Sequence, residues 1–110
     1  MDNPLSRLAP QLFGEYPKPF TNLLDNIFLG PRENIEDVKN ILWKAYEFGN
    51  HHHEGQKRKS GKPYFTHCIA VAKTLALWKM DTTTIIAGLL HDTVEDTDAT
   101  LDEITQLFGA

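Results

Sequence analysis

Residues 82–97 read TTTIIAGLLHDTVEDT, and this stretch decides the fold. Its first half is apolar nearly all round, through Ile85, Ile86, Ala87, Leu89 and Leu90. A helix without a polar face belongs inside a domain, so a helix over 82–92 is predicted as the buried centre. Its second half turns acidic: His91-Asp92, then Glu95 and Asp96 within a polar segment over 93–98. A charged Asp directly after an apolar run is costly if it is buried and unpaired, and a cation beside it offsets that cost. Imidazole nitrogen and carboxylate oxygen are ligands for divalent manganese, iron or zinc. Read alone, on spacing, the His91-Asp92 step is better taken as a core histidine followed by a helix-end cap. Glu95 and Asp96 follow Asp92 by three and four residues, so they share its face if the helix continues. Carboxylates placed there can take a proton from an attacking water. A solvated acidic loop is the other reading.

Working outward, a helix is predicted over 64–79, with His67, Val71, Leu75 and Trp78 on one stripe, flanked by Ile69, Ala72 and Ala76. His67 thereby becomes a third candidate metal ligand. Cys68, one residue on, points about 100° away and reads as a small buried side chain. Before this helix lies a basic stretch, Lys57-Arg58-Lys59-Ser60-Gly61-Lys62, bounded by Gly55 and Pro63 and read as a loop. An Arg fork can grip phosphate or stack on a base, Lys adds a point charge, and a glycine beside them allows close backbone approach. A plain solvated loop is the alternative.

Further upstream, residues 33–50 carry Ile35, Val38, Ile41, Leu42, Ala45, Tyr46 and Gly49 at helical spacing, with Glu33, Glu36 and Asp37 in the first turn. The triplet His51-His52-His53 continues this pattern. A short helix is expected over 21–29, stopped by Gly30-Pro31. Residues 1–19 hold Pro4, Pro10, Pro17 and Pro19 and read as an irregular arm. Downstream, Thr100-Leu101-Asp102-Glu103 reads as a capping box for a last helix that ends near Phe108, with Gly109 as its stop. Trp43, Tyr46, Trp78 and Phe108 fall on helix stripes and are assigned to the core. No strand pattern competes. The expectation is an all-α chain: an arm and short helix over 1–30, then a helical domain over 31–110.

Composition narrows the classes. With 110 residues the chain is one domain's worth or less. A net charge of −4 argues against a general nucleic-acid coat and leaves room for a local basic pocket. The single cysteine cannot form an internal disulfide, which suits a reducing, cytoplasmic compartment. No apolar run reaches the length of a membrane span, and no secretory signal is expected.

Taken together, His53-Glu54-Gly55-Gln56, Arg58-Lys59-Ser60-Gly61-Lys62-Pro63-Tyr64, His67, Ala70-Val71-Ala72, Asp81 and Leu89-Leu90-His91-Asp92-Thr93-Val94-Glu95-Asp96-Thr97 resemble the N-terminal hydrolase domain of the RelA/SpoT family over about residues 33 to 108. The resemblance implies an HD-type helical fold and a Mn²⁺-dependent hydrolase that removes the 3′-pyrophosphate of (p)ppGpp, giving GDP or GTP. It implies that His67, His91 and Asp92 are metal ligands, that Glu95 and Asp96 act on the attacking water, and that Arg58, Lys59 and Ser60 hold the guanine and a nearby phosphate. The family often has Glu where Lys62 stands and Pro where Cys68 stands; neither difference removes a functional group. The family's fourth metal ligand, an Asp, is expected beyond residue 110, so the resemblance implies a truncated HD domain with an incomplete metal site, inactive by itself. A longer parent could also be a GTP pyrophosphokinase. The competing classes are a non-catalytic HD-fold regulatory module and another HD-type nucleotide phosphohydrolase. The basic loop argues against the last.

Overall fold

The computed structural model describes residues 16–108. Pro4, Pro10 and Gly109, and the roles expected of them, lie outside these residues. The described chain forms five helices: α1 (Lys18–Asp25), α2 (Ile35–His52), α3 (Phe65–Leu77), α4 (Thr82–Asp96) and α5 (Leu101–Phe108). The only β pairing among the described residues is an isolated antiparallel bridge between Lys57 and Pro63. The all-α expectation therefore holds.

α1 starts earlier than the expected Thr21, because prolines open it. Pro17 is its N-cap and Pro19 lies in its first turn, where a missing N–H costs no hydrogen bond. Pro17 and Pro19 thus belong to a helix start and not to an irregular arm. Phe20 and Leu23 are fully buried. They join α1 to the same core as the rest of the chain.

α2 begins where Asn34 accepts hydrogen bonds from the amides of Glu36 and Asp37, at 2.8 and 3.4 Å. It runs two residues past the expected end, to His52, before the His53 amide turns back to the Gly49 carbonyl at 3.1 Å. Gly49 sits at a crossing. A Cβ there would lie 2.5 Å from the Phe65 ring and 3.3 Å from Leu90, so the missing side chain lets α2 approach both α3 and α4.

The face of α3 differs from the expected stripe. Val71 and Trp78 are exposed, Trp78 at 66%, whereas Phe65, Cys68, Ala72 and Ala76 are buried. Small side chains at i, i+4 and i+8 bring the backbone of α3 close to its neighbours, and the bulky residues fall on the outer side. Trp78 is therefore not a core residue. The expectation failed because it ranked side chains by size, while close helix packing selected for smallness.

α4 is the centre of the bundle, packed against both α2 and α3. Asp81 caps it by accepting from the Thr84 amide at 2.8 Å. Ile85, Ile86, Leu89, Leu90 and Thr93 are buried, while Ala87 faces outward. The helix does not stop at Asp92. It continues to Asp96, so most of the segment read as polar connection is its last turn. α5 opens with the predicted capping box: the Glu103 amide donates to the Thr100 hydroxyl at 3.1 Å, and the Thr100 amide donates to the Glu103 carboxylate at 3.0 Å.

Candidate functional site

The continuation of α4 places His91, Asp92, Glu95 and Asp96 on one exposed end of the central helix. His91 is 68% exposed, which removes the core-histidine reading. Asp92 lies a full turn before the helix end, which removes the end-cap reading. The Asp92 side chain is 19% exposed and has partners throughout. His91 Nδ1 is 3.0 Å from one carboxylate oxygen. The Tyr64 hydroxyl donates to the other at 3.0 Å, and His67 Nε2 approaches that same oxygen at 3.7 Å. Asp92 is thus neither fully buried nor unpaired, and it leaves no uncompensated charge that by itself demands a cation.

The electrostatics follow from this crowding. Burial pushes the Asp92 carboxyl up, but the hydrogen bonds from His91 and Tyr64, with the nearby His91 and His67 charges, outweigh it and leave the group below the usual carboxylate range. The hydrogen bond to Asp92, then the Glu95 and Asp92 charges, holds His91 above its ordinary value. Tyr64 is pushed up to about 12, first by its hydrogen bond to Asp92, so its hydroxyl stays a donor. The end of α4 is an acidic field that favours positive charge.

The donor set suits a divalent cation. Two donors bound to one ion at about 2.1 Å stand roughly 3.0–3.4 Å apart. His91 lies 3.0 Å from one Asp92 oxygen, within that span, and His67 lies 3.7 Å from the other, just beyond it. Among the described residues, the donors that all lie within 4.8 Å of one another are His91, Asp92 and Glu95, so the expected ligand His67 stands outside the group and Glu95 inside it. The geometry thus places Glu95, expected to act on water, within the group of possible ligands.

The basic loop forms a compact turn next to this cluster. The Arg58 amide donates to the Lys62 carbonyl at 2.9 Å and the Gly61 amide to the Arg58 carbonyl at 2.8 Å. Lys57, Arg58, Lys59, Ser60 and Tyr64 line a cavity of about 570 Å³. Gly61 has a φ of +89°, and a Cβ there would meet nothing within 4 Å. It adopts a left-handed turn that a side chain would strain.

Sequence reasoning gave no role to four residues that build this site. Tyr64 lines the basic cavity and also bonds both Asp92 and, at 3.4 Å, Asp96. His53, 2% exposed, contacts Gln56 and the buried Thr93. Polar residues with no helical period give no pattern to find. Cys68 is buried as expected, and burial pushes its thiol up to about 11.

The chain belongs to the HD-domain family, whose model matches residues 45–110. Its relatives narrow this to an HD domain of the RelA/SpoT family. It is 43% identical over 106 residues to a GTP pyrophosphokinase of Streptomyces coelicolor, covering 96% of this chain and 12% of that protein. It is 51% identical over 74 residues to the bifunctional (p)ppGpp synthase/hydrolase SpoT of Escherichia coli, covering 67% of this chain and 10% of that protein. A guanosine-3′,5′-bis(diphosphate) 3′-pyrophosphohydrolase of Aquifex aeolicus is 56% identical over 68 residues, or 62% of this chain and 10% of the relative. The chain spans about a tenth of the length of these curated relatives.

Proposed function

We propose that this chain carries the hydrolase site of a (p)ppGpp 3′-pyrophosphohydrolase: water attacks the phosphorus attached to O3′, the 3′-oxygen leaves, and GDP or GTP and pyrophosphate are released. One observation carries the reading. Tyr64 belongs at once to the basic cavity and to the Asp92–Asp96 carboxylates, so an anion-holding surface and an acidic, cation-favouring cluster share one wall.

His67, His91 and Asp92 are the residues that would hold the metal, which we take to be Mn²⁺. When bound, a divalent cation supplies Lewis acidity toward phosphate oxygens and eases the ionisation of water. The chain's own residues do the rest. Arg58 stacks on the guanine or forks onto phosphate, and Lys59 and Ser60 hold the neighbouring phosphate oxygens. Glu95 and Asp96 accept the proton of the attacking water. Tyr64 shares its one hydroxyl proton between Asp92, at 3.0 Å, and Asp96, at 3.4 Å, and so holds the two carboxylates together. We place the reaction in the cytoplasm, consistent with a nucleotide substrate and a single cysteine; no helix among the described residues is long and apolar enough to cross a membrane.

The test is metal analysis and turnover of guanosine-3′,5′-bis(diphosphate), on this chain and on a polypeptide of its relatives' length. Pyrophosphate and GDP in equal amounts are expected from the longer form. Bound metal with no turnover there would replace this reading with a non-catalytic HD module. Turnover of another nucleotide in its place would make the protein a different HD phosphohydrolase.

A further inference from the structure

Behind the carboxylates lies a hydrogen-bonded relay that the proposed reaction does not use. It starts at the Asp96 carbonyl, which can only accept. The Gln56 side-chain nitrogen donates to it at 2.8 Å. The orientation of the Gln56 amide is thereby fixed, and its oxygen faces His53 Nδ1 at 2.8 Å. An amide oxygen only accepts, so Nδ1 carries a proton, and in the neutral ring Nε2 presents a lone pair, which the Cys68 thiol also approaches at 3.9 Å. The fully buried Thr93 hydroxyl donates to that lone pair at 3.1 Å. Thr93 and Asp96 are consecutive turns of α4, so Gln56 and His53 grip the end of that helix at two points.

The same two residues frame the basic loop. The Gln56 amide donates to the His53 carbonyl at 3.0 Å, and the Tyr64 amide donates to the Gln56 carbonyl at 2.9 Å, which closes the loop's base. The His53 ring stacks on the Tyr64 ring, with centroids 5.2 Å apart and planes 25° from parallel. Lys57 to Pro63 hang from this base. We infer that Gln56, oriented by His53 and Thr93, is a positioning residue that fixes the basic loop relative to the carboxylate end of α4, and so sets the distance between the anion-holding residues and the reacting phosphate. This deepens the hydrolase reading and rests on it for the nature of the substrate, but the relay itself is independent of any reaction.

Two measurements separate the relay from the activity. In ¹⁵N-resolved spectra of the wild-type chain, His53 is expected as the neutral Nδ1–H tautomer, and Thr93→Val or Gln56→Leu is expected to release it into a mixture. A wild-type His53 protonated at Nε2 would overturn the relay whatever the protein hydrolyses. In amide hydrogen exchange, Gln56→Leu is expected to speed exchange at Arg58, Gly61, Tyr64 and the last turn of α4 by tenfold or more, leaving Leu42, Ala45 and Leu89 unchanged. Uniform acceleration across the core would show a merely structural residue and sink the proposal. Where turnover is present, Gln56→Leu is expected to raise KM and lower kcat together by about tenfold each, because both holding and alignment are disturbed. Unchanged kinetics beside a disrupted relay would also overturn it. A wild-type protein that keeps the tautomer and the selective exchange pattern but never hydrolyses guanosine-3′,5′-bis(diphosphate) would fail the function proposal alone.

Discussion

Asp92 stands between two imidazoles and a phenol, and its two oxygens face different partners: one meets His91, the other Tyr64 and His67. Removing this carboxylate leaves the imidazoles without the anion that draws a cation to them. Asp92→Ala is expected to abolish both metal binding and hydrolysis in the active form of the protein. Glu95 is 64% exposed and its oxygen is 4.0 Å from His91 Nε2, at the edge of the cluster. If it takes a proton from water, Glu95→Ala keeps the metal and lowers turnover by roughly a hundredfold or more, the scale of a lost general base. Metal analysis of the two variants decides the matter: loss of metal from Glu95→Ala would make it a ligand, in line with the tight His91–Asp92–Glu95 grouping. Arg58 carries a separate prediction. A guanidinium stacks on a base as well as gripping phosphate, while an ammonium only grips, so Arg58→Lys is expected to weaken substrate binding although charge is kept. Arg58→Ala is expected to raise KM with metal content unchanged, since the contact forms before the transition state. Wild-type KM in both variants would reduce the loop to a solvated turn. That positions 91, 92, 95 and 96 share one end of a helix was legible in the sequence because their spacing is helical. The linking role of Tyr64 was not, since it depends on a contact 28 residues away in the chain.

Among the elements, α4 was legible from its apolar run and α5 from its capping box, because each signal is local. α3 was misread, and Gly49 shows why. Close packing is built on absent side chains: glycine at 49, where the Phe65 ring and Leu90 come in against α2, and Cys68, Ala72 and Ala76 on the buried face of α3. A pattern of large apolar residues points away from such a seam. Gly49→Ala gains about 1 kcal/mol of helix propensity. Against this, the new Cβ lands 2.5 Å from a buried Phe65 ring with Leu90 beyond it, and overpacking of that kind costs about 1–3 kcal/mol. The clash is expected to win, lowering the melting temperature by roughly 4–8 °C, the shift that 1 kcal/mol gives in a domain of this size. Gly88 is the control. Its added Cβ would meet the tip of Leu75, a half-buried side chain free to turn, so Gly88→Ala is expected to leave the melting temperature level or higher. Thermal melts of both variants check the argument. Equal losses would show that the seam is not set by Gly49.

At the scale of the whole molecule, the candidate metal donors come from two helices, His67 from α3 and His91 and Asp92 from α4. A cation held by all three would tie these helices together at the end where the basic loop enters α3, so metal occupancy and fold stability are linked. The expected affinity is modest. Three protein donors, one of them on an exposed histidine, leave positions open to water, and the protein must order His91 on binding. A ligand of the folded state stabilises it by RT ln(1 + [L]/Kd), so tenfold excess over the dissociation constant adds about 1.4 kcal/mol. Manganese at millimolar concentration is therefore expected to raise the melting temperature of this chain by several degrees at most, reversibly on chelation. Asp92→Ala and His67→Ala are each expected to remove the rise. If His67→Ala keeps it while Glu95→Ala loses it, the cation is held within α4 alone and the two helices are not tied. Titration calorimetry that found tight, one-to-one manganese binding by these 110 residues would overturn the modest affinity.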